Sequence, residues 1–190
     1  MTPRQKEIVE HSISLIARRG IQDLTIRNIA DAIGISEPAI YRHFKSKTDV
    51  VLAVIDALES SVFGTSQNPA DPSLRTPEAY VKRLLERLSA APDLAVVVFS
   101  DEVFMNDERL VGRVRALMER SLEGITKMIE AGQRNGDIRE DVSPSDLAII
   151  IAGAIRIIVR QWHYSGFNFN LVERGEKTLR TLFILTASQV

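Results

Sequence analysis

Apolar residues recur at intervals of three and four along most of this chain, and no run alternates with the period of two expected of a half-buried strand. Ile8, Ile13, Leu15 and Ile16 repeat at helical spacing after a Thr2-Pro3 start and stop before Gly20, which predicts a helix over 3–19. Thr25 stands ahead of Ile26, Ile29, Ala30 and Ile33 and can cap a short helix over 26–33 that ends at Gly34. Ser36 opens the next segment, with Pro38 inside its first turn where a missing N–H costs nothing, predicting a helix over 37–43. Ser46, with Asp49 behind it, gives a capping-box-like start to a longer helix through Val50, Leu52, Val54, Ile55 and Leu58.

Between Gly64 and Pro77 the composition turns to Gly, Ser, Thr, Asn, Asp and Pro, the signature of a mobile loop or linker. Helical patterns then resume over 77–89, 92–105, 107–134, 144–164 and 171–188, separated by cap and turn residues such as Asn135-Gly136-Asp137 and Ser143-Pro144. The chain is expected to be all-α with about nine helices. Its expected division is a three-helix N-terminal domain over 1–48 and a helical C-terminal domain over 49–190.

The segment Thr25 to Lys47 carries the chemistry. Two short helices joined through Gly34-Ile35-Ser36 have the dimensions of a helix-turn-helix, which presents its second helix to the major groove of DNA. Ala30 is small where the helices approach, and Ile29, Ile35, Ile40 and Phe44 can fill the space beneath them. Thr25, Tyr41 and His43 can donate hydrogen bonds to phosphate oxygens, and Lys47 adds charge there. Arg27 and Arg42 are long enough to pair with guanine O6 and N7, and Glu37 can accept from a cytosine amine or simply favour the helix N-terminus.

The Thr-x-x-x-Ile-Ala start, the Gly-hydrophobic-Ser turn, the aromatic-x-His-Phe tail and the closing Ser-Lys together resemble the N-terminal signature of TetR-family regulators. The resemblance implies phosphate contacts by Thr25, Tyr41, His43 and Lys47, and base-facing positions at Arg27, Glu37, Pro38 and Ala39, while Arg42 stands where members vary. Residues 131–144 also look like the family's link between its seventh and eighth helices. By the same resemblance the last two helices would pair two subunits, with Ile150, Gly153, Ala154, Ile157, Leu179 and Leu182 as interface candidates. A homodimer on double-stranded DNA is then expected, acting as a repressor released from a palindromic operator by a small hydrophobic effector. The effector pocket would draw on Phe99, Phe104, Met105, Met118, Leu122 and Trp162, although aromatic and Met residues at helical spacing usually serve as ordinary core.

Composition narrows the alternatives. The absence of cysteine excludes disulfides and thiolate metal sites and suits the cytoplasm. The charged N-terminus lacks the apolar run of a signal peptide, and Leu147 to Ile155 is too short for a membrane span, so no membrane partner is expected. Net charge is −1, yet residues 1–49 hold eight Lys and Arg against six Asp and Glu, a weak lean towards DNA. Asp101, Glu102, Asp107 and Glu108 cluster, and His163 lies near a helix end, but there is no metal-binding histidine pair, phosphate loop or nucleophile turn, so neither an enzyme nor a cofactor is expected. A DNA-binding protein without a small-molecule effector, whose C-terminal domain docks a protein partner, fits the same residues.

Overall fold

The computed structural model describes residues 1–63, 76–100, 104 and 107–187, and within them the chain is all-α. Nine α-helices run α1 (Pro3–Arg19), α2 (Ile26–Ile33), α3 (Glu37–Tyr41), α4 (Lys47–Leu58), α5 (Pro77–Ala90), α6 (Pro92–Val98), α7 (Glu108–Arg134), α8 (Pro144–Tyr164) and α9 (Leu171–Thr186). A 3-10 turn, Ile21–Asp23, precedes α2, and a π-helical turn, Glu59–Phe63, extends α4. Extended pairing among the described residues is limited to one antiparallel bridge between Ile138 and Ala187. No described helix is long and apolar enough to cross a membrane.

The chain forms two compact units. The first contains Met1–Ser61 and Asp93–Ala116, and the second Val62–Pro92 and Leu117–Val190. In the first, α1 packs on α2 and α4, and α2 on α3, around buried Ile8, Ile16, Leu24, Ile29, Ile40, Phe44 and Val54. In the second, α9 packs on both α5 and α8, burying Leu84, Leu85, Ile151, Ile155 and Leu179.

Most helix starts follow from side-chain caps. Thr2, Thr25, Ser46, Thr76, Ser143 and Asn170 each accept a backbone N–H from the first turn of α1, α2, α4, α5, α8 and α9. The end of α2 needs Gly34, whose φ of 76° lies in the left-handed region and lets the N–H groups of Gly34 and Ile35 both reach the Ala30 carbonyl.

Three elements depart from the sequence-based expectation. The helix expected over 37–43 stops at Tyr41, because the N–H groups of His43 and Phe44 both turn back to the Ile40 carbonyl and the chain drops Phe44 into the core. The helix expected over 92–105 ends at Val98, where the Ser100 hydroxyl donates to the Val96 carbonyl and its N–H to that of Val97. The turn at Ile21–Asp23 carried no recognisable signal. The linker expected at 64–77 falls largely outside the described residues.

Candidate nucleic-acid interface

The second helix of the helix-turn-helix is short and is held from beneath. Ile40 is wholly buried on its inner side, and the Ser36 carbonyl accepts from the N–H groups of Ala39 and Ile40 to start the turn. With Ile40 and Phe44 fixed inward, helical geometry turns Glu37, Pro38, Tyr41 and Arg42 outward, and all four are exposed. Tyr41 is 52% exposed, so its phenol is open to a partner outside the chain. Ala39 and His43 flank this surface and are half-buried.

Thr25, Arg27 and Lys47 add to the exposed set from the starts of α2 and α4. Thr25 Oγ1 accepts the Asn28 N–H at 3.0 Å as the cap of α2, which leaves its O–H to donate. Asn28 in turn donates its side-chain amide to the Asp23 carbonyl at 2.7 Å, fixing the approach to the cap. The guanidinium of Arg27 lies 3.9 Å from Asp31, and both side chains are more than 70% exposed, a pairing too loose to immobilise it. The arrangement is a cluster of hydroxyl, imidazole, guanidinium and ammonium donors around one short helix, suited to an anionic polymer.

Below the interface α4 is tied to the start of α7. Thr48 Oγ1 donates to Asp107 Oδ2 at 2.9 Å, Arg109 Nη1 approaches Asp49 Oδ1 at 3.3 Å, and Arg113 bridges Asp56 and Glu59. The backbone N–H of Arg109 and the Thr48 hydroxyl hold the Asp107 carboxyl below the ordinary aspartate range, and Glu59 and Asp56 push the Arg113 guanidinium up. Asp107 therefore serves this contact, while Asp101 and Glu102 lie outside the described residues. No group of acidic or histidine side chains among the described residues is arranged to hold a metal ion.

The residues considered for an effector pocket are spread over both units. Phe104 is buried and Phe99 half-buried in the first unit. In the second, Trp162 is buried with Phe167 edge-on to its ring at 4.7 Å, Leu122 is half-buried, and Met118 is 55% exposed. Met105 lies outside the described residues. Among the interface candidates, Ile150, Gly153 and Ile157 form an exposed stripe on α8 with Ile149, and Ala154 and Leu182 are half-buried. Leu179 is only 2% exposed within its own protomer, because Leu171, Gly175 and Leu179 form the inward face of α9; Ile184 and Leu185 take the outward one. Two contributors escaped the sequence reading, Asn28 and Gln5, although Thr2-x-x-Gln5 carries the spacing of a capping box.

Comparison with known proteins agrees with this geometry. Residues 8–54 match the family described as bacterial regulatory proteins, tetR family, and residues 53–185 match the YsiA-like protein, C-terminal region. The HTH-type transcriptional repressor KstR2 of Rhodococcus jostii (strain RHA1) is 31% identical over 144 residues, covering 73% of this chain and 70% of that protein. The nucleoid occlusion factor SlmA of Actinobacillus pleuropneumoniae is 29% identical over 115 residues, 58% of this chain and 57% of its own. Among solved structures, the transcriptional regulator FadR from Bacillus subtilis in complex with stearoyl-CoA shares the fold with a TM-score of 0.80 at 19% identity, covering 94% of this chain and 97% of that one. The ketosteroid transcriptional regulator KstR2 of Mycobacterium tuberculosis does so with a TM-score of 0.77 at 19% identity, covering 100% and 97%. The chain belongs to the TetR family of bacterial transcriptional regulators, DNA-binding proteins with an N-terminal helix-turn-helix and a helical C-terminal region.

Proposed function

We propose that this chain is a cytoplasmic homodimeric repressor that holds a near-palindromic operator and is released from it by a small hydrophobic effector. In this reading residues 1–48 bind DNA and residues 49–190 pair the subunits and bind the effector. The exposed donor set around α3 carries the DNA part: Tyr41, Arg42 and Lys47 face outward on a scaffold locked by Ile40 and Phe44. Thr25, Tyr41, His43 and Lys47 contact phosphates and set the register. Arg27, Glu37, Pro38, Ala39 and Arg42 lie towards the bases, where sequence is read.

Pairing is supported by the apolar stripe on α8. Ile149, Ile150 and Ile157 are each more than half exposed in the protomer, with Gly153 between them leaving room for close approach. Three large aliphatic side chains in a row on one long helix favour burial against a second copy, and a twofold axis would set the two recognition helices roughly 34 Å apart on DNA. Leu179, being core, is not needed in this contact.

Relatives guide the choice of effector. The similarly folded Bacillus subtilis regulator is described with stearoyl-CoA, which makes long-chain acyl-CoA thioesters the first candidates here. An effector acts only through its differential affinity for the two subunit arrangements, and a hundredfold loss of operator affinity requires about 2.7 kcal/mol of coupling. The test is displacement of the protein from its selected operator by acyl-CoAs of graded chain length, with free CoA as control. Dissociation that strengthens with chain length supports the reading.

A second reading follows from the likeness to nucleoid occlusion factors: a DNA-binding protein with no small-molecule effector, whose second unit docks a protein partner. Sequence-specific DNA binding that no acyl-CoA or other hydrophobic compound alters favours it.

A further inference from the structure

Gln5, in the first turn of α1, uses both ends of its carboxamide. Its Oε1 accepts the Thr2 N–H at 2.9 Å while Thr2 Oγ1 accepts the Gln5 N–H at 3.2 Å, closing a reciprocal cap on α1. Its Nε2 donates to the His43 carbonyl at 3.2 Å, in a part-buried contact between chain positions 38 residues apart. The two partners fix the orientation of the amide, since a backbone N–H needs the oxygen and a carbonyl needs the nitrogen.

The partner of that second bond matters. His43 lies in the turn that follows α3, just beyond Arg42, where the backbone has left the helix and the imidazole and the phenol of Tyr41 must still be presented outward. A helix of five residues has little rigidity of its own, so the placement of its exit depends on what grips it. Phe44 grips from the core side, and Gln5 grips from α1.

We propose that Gln5 is a positioning residue for DNA recognition: it sets the exit of α3 through the His43 carbonyl, and operator discrimination depends on it although it need not touch DNA. The inference rests on the reading of α3 and its flanks as the DNA interface. It also explains why an amide stands where a carboxylate would cap α1 equally well. Glutamate would put a negative oxygen against the His43 carbonyl.

The experiment separates the two functions of the side chain. Gln5→Glu keeps the acceptor and loses the donor; Gln5→Lys keeps a donor within reach and loses the acceptor. Both change charge, so the readout is the ratio of affinities for the selected operator and a scrambled duplex, in which a generic electrostatic change largely cancels. Gln5→Glu loses the bond to the His43 carbonyl, so it is expected to lower the thermal midpoint by a few degrees and, in addition, the ratio about fivefold, the worth of one ordinary hydrogen bond. Gln5→Lys is expected to lower the midpoint and keep the ratio. A ratio within twofold of wild type in Gln5→Glu overturns the proposal, as does a ratio that merely tracks the thermal midpoint across both variants. Tyr41→Ala and His43→Ala run alongside: if neither weakens DNA binding, the interface reading itself has failed, and if both do while Gln5→Glu is silent, only the positioning role is lost.

Discussion

A β-carbon on Gly175 of α9 would lie 2.1 Å from Leu85 Cδ1 of α5, so these helices meet at a backbone with no room for a side chain. Two effects compete in Gly175→Ala. The helix gains about 1 kcal/mol in propensity, and the clash with wholly buried Leu85 costs about 1–3 kcal/mol. The clash wins because it is with a core side chain that cannot swing into solvent. Denaturant unfolding should show a net loss of about 1 kcal/mol or more, and the double variant with Leu85→Ala should lose less than the sum of the two single losses, because the truncated side chain no longer meets the new methyl group.

Nothing around Gly175 in the sequence marks that contact, and the reason generalises. Helical periodicity and caps are local, so α1, α2 and α8 could be read to their ends from Thr2, Thr25, Gly34 and Ser143. Which apolar face of α9 turns inward is not local: Leu179, expected at the pairing surface, is buried by the packing of α5 and α8 on one side, while Ile184 and Leu185 are left outward. The exit of α3 was hidden for the same reason, since its early stop at Tyr41 is imposed by the burial of Phe44. The donor set around α3 was legible because residue type and spacing within a single turn define it.

The Thr48–Asp107 contact gives a pH prediction. Asp107 has a lowered pKa in the folded chain, so its contribution is present above the unfolded aspartate value of about 4 and is lost as pH falls through the folded one. Unfolding followed across pH should show wild type more stable than Asp107→Asn at neutral pH, with the gap closing only in the acid range below about 4. A gap that closes between neutral and pH 5 would mean another group is responsible.

Phosphate and base contacts are separable by salt. Lys47→Ala should weaken operator and random DNA alike and reduce the slope of log affinity against log salt by about one for each contact removed. Arg27→Ala should instead erode preference at one position in each half-site, at about 1–3 kcal/mol per site. Titrations at several salt concentrations on both duplexes check the pair; equal losses on every sequence would remove Arg27 from base reading.

Charge on the outward stripe of α8 should separate the subunits. Ile150→Asp places a carboxylate on a side chain that is 53% exposed in the protomer, so folding should change little while pairing fails. Sedimentation equilibrium should give the monomer mass for Ile150→Asp and twice that for wild type, and Leu179→Asp should unfold the chain instead. A dimer that survives Ile150→Asp would place the pairing surface elsewhere.

The most direct measurement is selection of bound sequences from random duplex DNA by the purified protein, with Tyr41→Ala as the matched control. The wild type should enrich a near-palindromic motif with half-sites about one helical turn apart, and the variant none. A folded wild-type protein that enriches no motif, or the same motif recovered by Tyr41→Ala, would contradict the proposed DNA interface.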